Sequence, residues 1–201
     1  MNTLEAVYSR RAVKQFDAGH ALTQDEERKL LEATIQAPTS FNAQHWRFVI
    51  LRDPELRARI RKDYGNDQAQ MTDASLLVLF TADTKAWQKS PERYWTAAPK
   101  EVSELLVNWM GPFHEGREWL QRDEAQRSIG MAMQTMMLVA QEMGYQSCPM
   151  IGFDIDKVAE IIRLPDDFVM GPMVAIGKGT KDPWPKPGQL PLEQLVSENS
   201  F

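Results

Sequence analysis

Arg10, Arg11 and Lys14 place three cations within five residues of a chain whose formal net charge is −5. Two forked guanidiniums beside an ammonium suit a phosphate or a similar anion. Alternatively, the arginines complement the negative C-terminal end of the helix before them. A second group spans Pro38 to Phe48 and holds Thr39, Ser40, Asn42 and Gln44 between the flat faces of Phe41 and Trp46. Hydrogen-bonding side chains beside aromatic faces suit a planar ligand with polar edges. The competing reading is a loop whose Asn and Ser satisfy their own backbone. A third group, Gln68 and Gln70, lies in the polar run Tyr64 to Gln70, just ahead of an apolar segment. Its amides could reach a ligand edge or remain solvated.

Other chemistries lack their residues. One cysteine, Cys148, rules out an internal disulfide, and three histidines without HxxxH spacing give no structural zinc site. Around Gly177-Lys178-Gly179-Thr180 the spacing of a triphosphate loop fails, and neither GxGxxG nor GxSxG occurs. Cys148 has apolar neighbours and no partner base in sequence. An acidic balance argues against a nucleic-acid face, no apolar run is long enough to cross a membrane, and the cysteine usage fits a reducing cytoplasm. With 201 residues, 43% of them hydrophobic, one domain with a full core is expected.

The elements that must hold these groups read as follows. Asn2 caps a first helix with Glu5 returning to it, and Leu4, Val7 and Tyr8 are expected to face inward. Thr23 and Glu26 form a capping box for a second helix, with Leu30, Leu31, Thr34 and Ile35 as its buried stripe and Pro38 beyond its end. Phe48 to Leu51 is a short buried strand, and Asp53-Pro54 starts another helix. Ser75 to Phe80 reads as a central strand covered on both faces. Residues 82–116 form an aromatic-rich excursion, helical from Lys100 to Met110, either a lid or a satellite cluster. Arg117 to Met143 is helical, apolar nearly all round from Ile129, and suits a core or a subunit interface, with Gly144 as its cap. Tyr145 to Asp154 reads as a turn, Asp154 to Ile162 as a capped helix, and Phe168 to Ile176 as a strand kinked by Gly171-Pro172. Residues 180–201 hold four prolines around Trp184 and Leu190 and read as an extended arm that docks, or else as a disordered tail.

The order and spacing of these pieces resemble the FMN-dependent nitroreductase family along nearly the whole chain. The likeness rests on Arg10-Arg11-Ala12-Val13-Lys14-Gln15-Phe16-Asp17 and on Ala37 to Phe48. Gln68-Ala69-Gln70 before Asp73-Ala74-Ser75, Gly144 to Asp154, and Leu190-Pro191-Leu192 add to it. The resemblance implies an α+β fold with a central, mainly antiparallel sheet flanked by helices. It further implies an intertwined homodimer with exchanged C-terminal arms, each chain being a single domain over 1–201. By the same resemblance, FMN is held by Arg10, Arg11, Ala12 and Lys14, and by Pro38, Thr39, Ser40 and Asn42 reaching across from the other subunit. Gln68 and Gln70 stand at the ring edge, Pro149, Met150, Ile151 and Gly152 along the ring with a backbone N–H toward N5, and Lys186 and Gln189 near the phosphate. No side-chain acid or base is implied. The activity implied is a ping-pong transfer of hydride from NAD(P)H through flavin N5 to a nitro-aromatic, quinone or similar acceptor. A flavin store without turnover, or a reductase of activated alkenes, is the alternative. Phe41, Trp109, Met110 and Phe113 are the candidates for the acceptor face. Ala12 stands where Ser is common in the family, His45 where Pro is frequent, Ile151 where some members have Glu, and Gln189 where Arg is common. By the resemblance, Ala12 removes a hydroxyl contact to FMN, and Gln189 in place of Arg leaves phosphate binding to lean on Arg10 and Lys186.

Overall fold

The computed structural model describes residues 2–201. Four strands, β1 (Trp46–Ile50), β2 (Leu76–Asp83), β3 (Gln146–Met150) and β4 (Phe168–Gly177), form one sheet in the order β1-β2-β4-β3, antiparallel at every pairing. Its helices are α1 (Thr3–Ser9), α2 (Gln24–Thr34), α3 (Pro54–Arg59), α4 (Gln70–Asp73), α5 (Lys100–His114), α6 (Glu118–Glu142) and α7 (Ile155–Ile162). The architecture is α+β, with helices on both faces of the sheet.

β2 explains the layering. All its residues are buried, and their alternation divides them between two cores. Leu76, Val78, Phe80 and Ala82 meet Ile129, Ala132, Met136 and Ala140 of α6, together with Leu30 of α2. Leu77 and Leu79 face the other way, toward Ile60, Met71, Val158 and Met173. The end of α6 follows from Gly144, whose φ of +76° allows the Schellman closure Tyr145 N–H to Ala140 O and Gly144 N–H to Gln141 O. Both expected capping boxes form, at Asn2–Glu5 and Thr23–Glu26.

The kink foreseen at Gly171-Pro172 is a bulge. The register slips between Leu79↔Met173 and Thr81↔Met170, so Phe80 faces two residues of β4. A Cβ added at Gly171 would lie 2.8 Å from Ile129 Cγ2 and 3.0 Å from the Phe80 carbonyl oxygen. Since the oxygen belongs to the central strand and cannot move cheaply, Gly171→Ala is expected to cost ~1–3 kcal/mol of stability, read from urea unfolding midpoints.

Several expectations need correction. In α1 only Ala6 is buried; Leu4 and Tyr8 are 66% and 69% exposed and Val7 is exposed too, because this short helix meets the body through its alanine. On α2, Leu30 and Thr34 are buried while Ile35 is exposed. Helix α5 continues past Met110 and Pro112 to His114. The stretch Gln146–Met150, read as part of a turn, is β3; Pro149 is tolerated there because β3 is an edge strand of the sheet. A π-type turn over Ile60–Tyr64 leads into the polar run after Asp63, which runs into the short α4.

Candidate functional site

Three groups of side chains converge in different ways. The first follows α1. Ala12 bridges Ser147 of β3 in parallel, Val13 N–H donates to Ser147 O at 3.0 Å, and Val13 is buried, so Ala12 and Lys14 are turned outward. Arg11 is spent locally: its Nη1 donates to Tyr8 O (2.6 Å) and Arg10 O (3.0 Å), closing the end of α1. Arg10 differs. Its Nη1 is buried and has no hydrogen-bond partner, a costly state for a guanidinium unless an anion meets it. Arg10, Arg11, Ala12 and Lys14 line a cavity of about 440 Å³ with the arm residues Lys181, Trp184, Lys186 and Gln189. Five cations therefore line one hollow of an acidic chain.

The second group adjoins the first through Cys148. Gln70, nearly buried, sets its Nε2 3.9 Å from Cys148 Sγ and 3.2 Å from Gln68 Oε1. Burial pushes the Cys148 thiol pKa up, and Lys14, Gln70 and Arg10 oppose that shift, which places all three around the sulfur. A neutral, inward thiol is a packing group here. Gln68 Nε2 and Asn66 Nδ2 both donate to Gly152 O, at 2.8 and 3.0 Å. Two amides on one carbonyl fix the Gly152–Phe153 peptide. Met150 is buried, Pro149 half-buried and Ile151 exposed. Asn66 escaped the sequence reading; its position two residues before Gln68 was the available signal.

The third group is the turn before β1. Phe41, Asn42 and Gln44 have left-handed φ of 52°, 52° and 46° without being glycine, with Ala43 at −71° between them. Such residues each cost ~1–3 kcal/mol unless the surroundings hold them. Gln44 N–H donates to Thr39 Oγ1 (2.9 Å), and Asn42 Nδ2 to Tyr94 O (2.7 Å). Phe41 packs on Phe113 and His114 with ring centroids 5.2 and 5.7 Å away. Trp109 is exposed and Phe113 borders on it, whereas Met110 is fully buried between Ala43 and Tyr94. Met110 is thus the floor beneath this face, because the turn of α5 that carries it points at the 39–44 turn. Pro38 is exposed and lines a separate apolar groove with Gly130, Met131 and Thr135 of α6. The basic cavity is lined by the first group and the arm, without the 38–42 turn.

His45 and His114 were not singled out as site residues, yet both are fully buried beside the 39–44 turn. Burial and the neighbouring His114 push His45 down to about 4. Among the described residues no group of His, Cys, Asp and Glu is placed to hold a metal, and no helix is long and apolar enough to cross a membrane.

The nitroreductase family model matches residues 7–178, most of the chain. The chain belongs to the nitroreductase family. This nitroreductase-family chain is 61% identical to protein DrgA of Synechocystis, covering 98% of itself and 95% of that protein. It is 30% identical to MhqN of Bacillus subtilis, which carries a provisional NAD(P)H nitroreductase name, over 94% of itself and 95% of MhqN. A nitroreductase candidate from Exiguobacterium sibiricum, solved in complex with FMN, superposes with a TM-score of 0.89 at 25% identity, covering 98% of this chain and 97% of that one.

Proposed function

We propose that this chain is an FMN-dependent oxidoreductase that takes reducing equivalents from NAD(P)H and passes them to a nitro-aromatic, quinone or similar acceptor. One observation carries the reading: Arg10, whose buried Nη1 has no partner, lines a cation-rich cavity with Lys14, and the same two residues lie beside Cys148 together with Gln70. An elongated ligand with an anionic end and a planar, polar-edged end fits that sequence of surfaces. When bound, FMN supplies the two-electron chemistry.

The chain's own residues supply placement and charge. Arg10 and Lys186, with Gln189, hold the phosphate end. Lys14 and Gln70 favour negative charge on the pyrimidine edge. Asn66 and Gln68 hold the Gly152 carbonyl and so steady the backbone just after Ile151, where a backbone N–H is presented without a side-chain acid. Phe41 and Phe113 form the acceptor face, with the 82–116 excursion as its lid. The site is shared in a homodimer: Pro38, Thr39, Ser40 and Asn42 complete the partner's cavity. The exposed Leu4, Val7 and Tyr8, together with Trp184, Leu190, Leu192 and Leu195 of the 180–201 arm, supply apolar surface for that assembly.

Absorption spectroscopy tests the reading. Purified protein is expected to be yellow, to bleach anaerobically with NADH or NADPH, and to regain colour on adding a nitroarene or quinone. Colour without bleaching would favour a flavin store, and recovery only with an activated alkene would move the substrate class. A colourless protein that FMN does not reconstitute would overturn the proposal.

A further inference from the structure

We propose that His114, beside the buried neutral His45, latches the α5 end of the acceptor face while its imidazole is neutral, and that a proton taken up by His114 releases it. This rests on the proposed reading of Phe41 and Phe113 as that face. Hydrogen bonding dictates where the protons sit. Ser128 Oγ donates its one proton to Glu124 O (2.8 Å), so at 3.0 Å His45 Nδ1 must be the donor to Ser128 Oγ. His114 Nδ1 lies 2.8 Å from Met110 O, and a carbonyl only accepts. Both rings are therefore Nδ1–H tautomers with a bare Nε2, and each Nε2 is buried without a partner. Both residues have 0% exposure. A proton arriving at either Nε2 creates a charged N–H with no acceptor in the interior.

The charged groups around the pair do not relieve that cost. Asp83 of β2 attracts a proton at His45, but it is engaged by Lys89 Nζ and by the Lys85 N–H, both at 2.8 Å; Arg47 and His114 oppose it. At His114, burial dominates, Glu124 attracts and Arg117 opposes. The strain has one place to go. Pro112 lacks the N–H that would bond Asn108 O, so the last turn of α5 is the weakest part of that helix. It is held by His114 Nδ1 on Met110 O and by Gln121 Nε2 on His114 O (2.7 Å). His114 also lies between the working aromatics: it stacks on Trp87 at 5.6 Å and 9°, and touches Phe113 at 5.0 Å and Phe41 at 5.7 Å. Moving this ring separates Phe113 from Phe41. His114 is accordingly a positioning residue whose protonation state sets acceptor access.

The test uses the full-length protein with ¹⁵N-labelled histidine. Both rings are expected to report the Nδ1–H tautomer at pH 7.5 and to titrate below the usual histidine range. Trp87 fluorescence, isolated by subtracting a Trp87→Phe spectrum, is expected to fall as His114 gains its proton. In wild type the KM for a bulky quinone should change about threefold or more across the pH range in which the labelled His114 ring titrates, and stay level above it. His114→Asn, which keeps a donor for Met110 O and cannot titrate, should flatten that profile. An Nε2–H tautomer in either ring, or a His114→Asn profile superposing on wild type, would overturn the latch. Should His114→Asn not fold, the labelled wild-type rings and the Trp87 signal still decide. If the chain held no FMN the functional reading would fall, while both of those signals would remain readable.

Discussion

Arg10→Ala is expected to weaken FMN binding by ~1.5–3 kcal/mol, roughly ten- to a hundredfold, the usual worth of a charge-assisted hydrogen bond. The size follows from burial. Arg10 Nη1 is out of solvent and unpaired in the protein, so an anion reaching it replaces no competing salt bridge. Arg11 is the control. Its Nη1 is committed to Tyr8 O and Arg10 O, so Arg11→Ala is expected to loosen the end of α1 while lowering FMN affinity far less. Titrating each apoprotein with FMN and following flavin fluorescence separates the two. Equal losses, or no loss at Arg10, would remove Arg10 from the phosphate site.

The contrast between two adjacent arginines shows where sequence stops being informative. Three cations in five residues mark the cluster, but which guanidinium is free depends on the backbone path after Ser9. The elements themselves were legible wherever local chemistry decided them. Thr23 with Glu26, Asp53 with Pro54, and Gly144 each form the cap their residue types predict. β2 announced itself by an unbroken apolar run, since both its faces are covered. β3 did not, because Pro149 and the flanking turn residues outweigh five residues whose strand character comes from pairing with β4. The meeting of Lys14, Gln70 and Cys148 was likewise invisible, as it is made by three segments far apart in the chain. The inward face assigned to α1 failed for a related reason. Leu4 and Tyr8 are apolar because something must cover them, and periodicity does not say whether the cover is the same chain or another.

The 39–44 turn joins fold to function. Three left-handed residues without glycine persist because Thr39 Oγ1 holds the Gln44 N–H, Tyr94 O holds the Asn42 side chain and Met110 fills the space beneath. The strain keeps Phe41 against α5 and leaves Asn42 at the surface. A turn of ordinary conformation would relax and lose that orientation. The same turn leads directly into His45, so its geometry is tied to the protonation of the interior behind it.

Lowering the pH from 7 to 4 is therefore expected to cost wild type ~3 kcal/mol more stability than it costs His45→Asn. The sign follows from the direction of the shift. His45 titrates near 4 when folded and near its ordinary value of 6.5 when unfolded, chiefly because burial disfavours the imidazolium. Between those values the unfolded chain binds a proton that the folded one refuses, so acid favours unfolding. The contribution is fully present above pH 6.5, declines as pH falls toward 4, and changes no further below it. A shift of this size corresponds to ~3 kcal/mol at ~1.4 kcal/mol per pH unit. His45→Asn retains a donor for Ser128 Oγ but has nothing to titrate, so carboxylates protonating in the same window cancel in the comparison. Urea unfolding of both proteins at pH 7.0, 5.5 and 4.5 gives the two slopes. Parallel slopes would mean that His45 ionises freely in the folded protein, and the buried, Nδ1-donating imidazole would then be the wrong description of this interior.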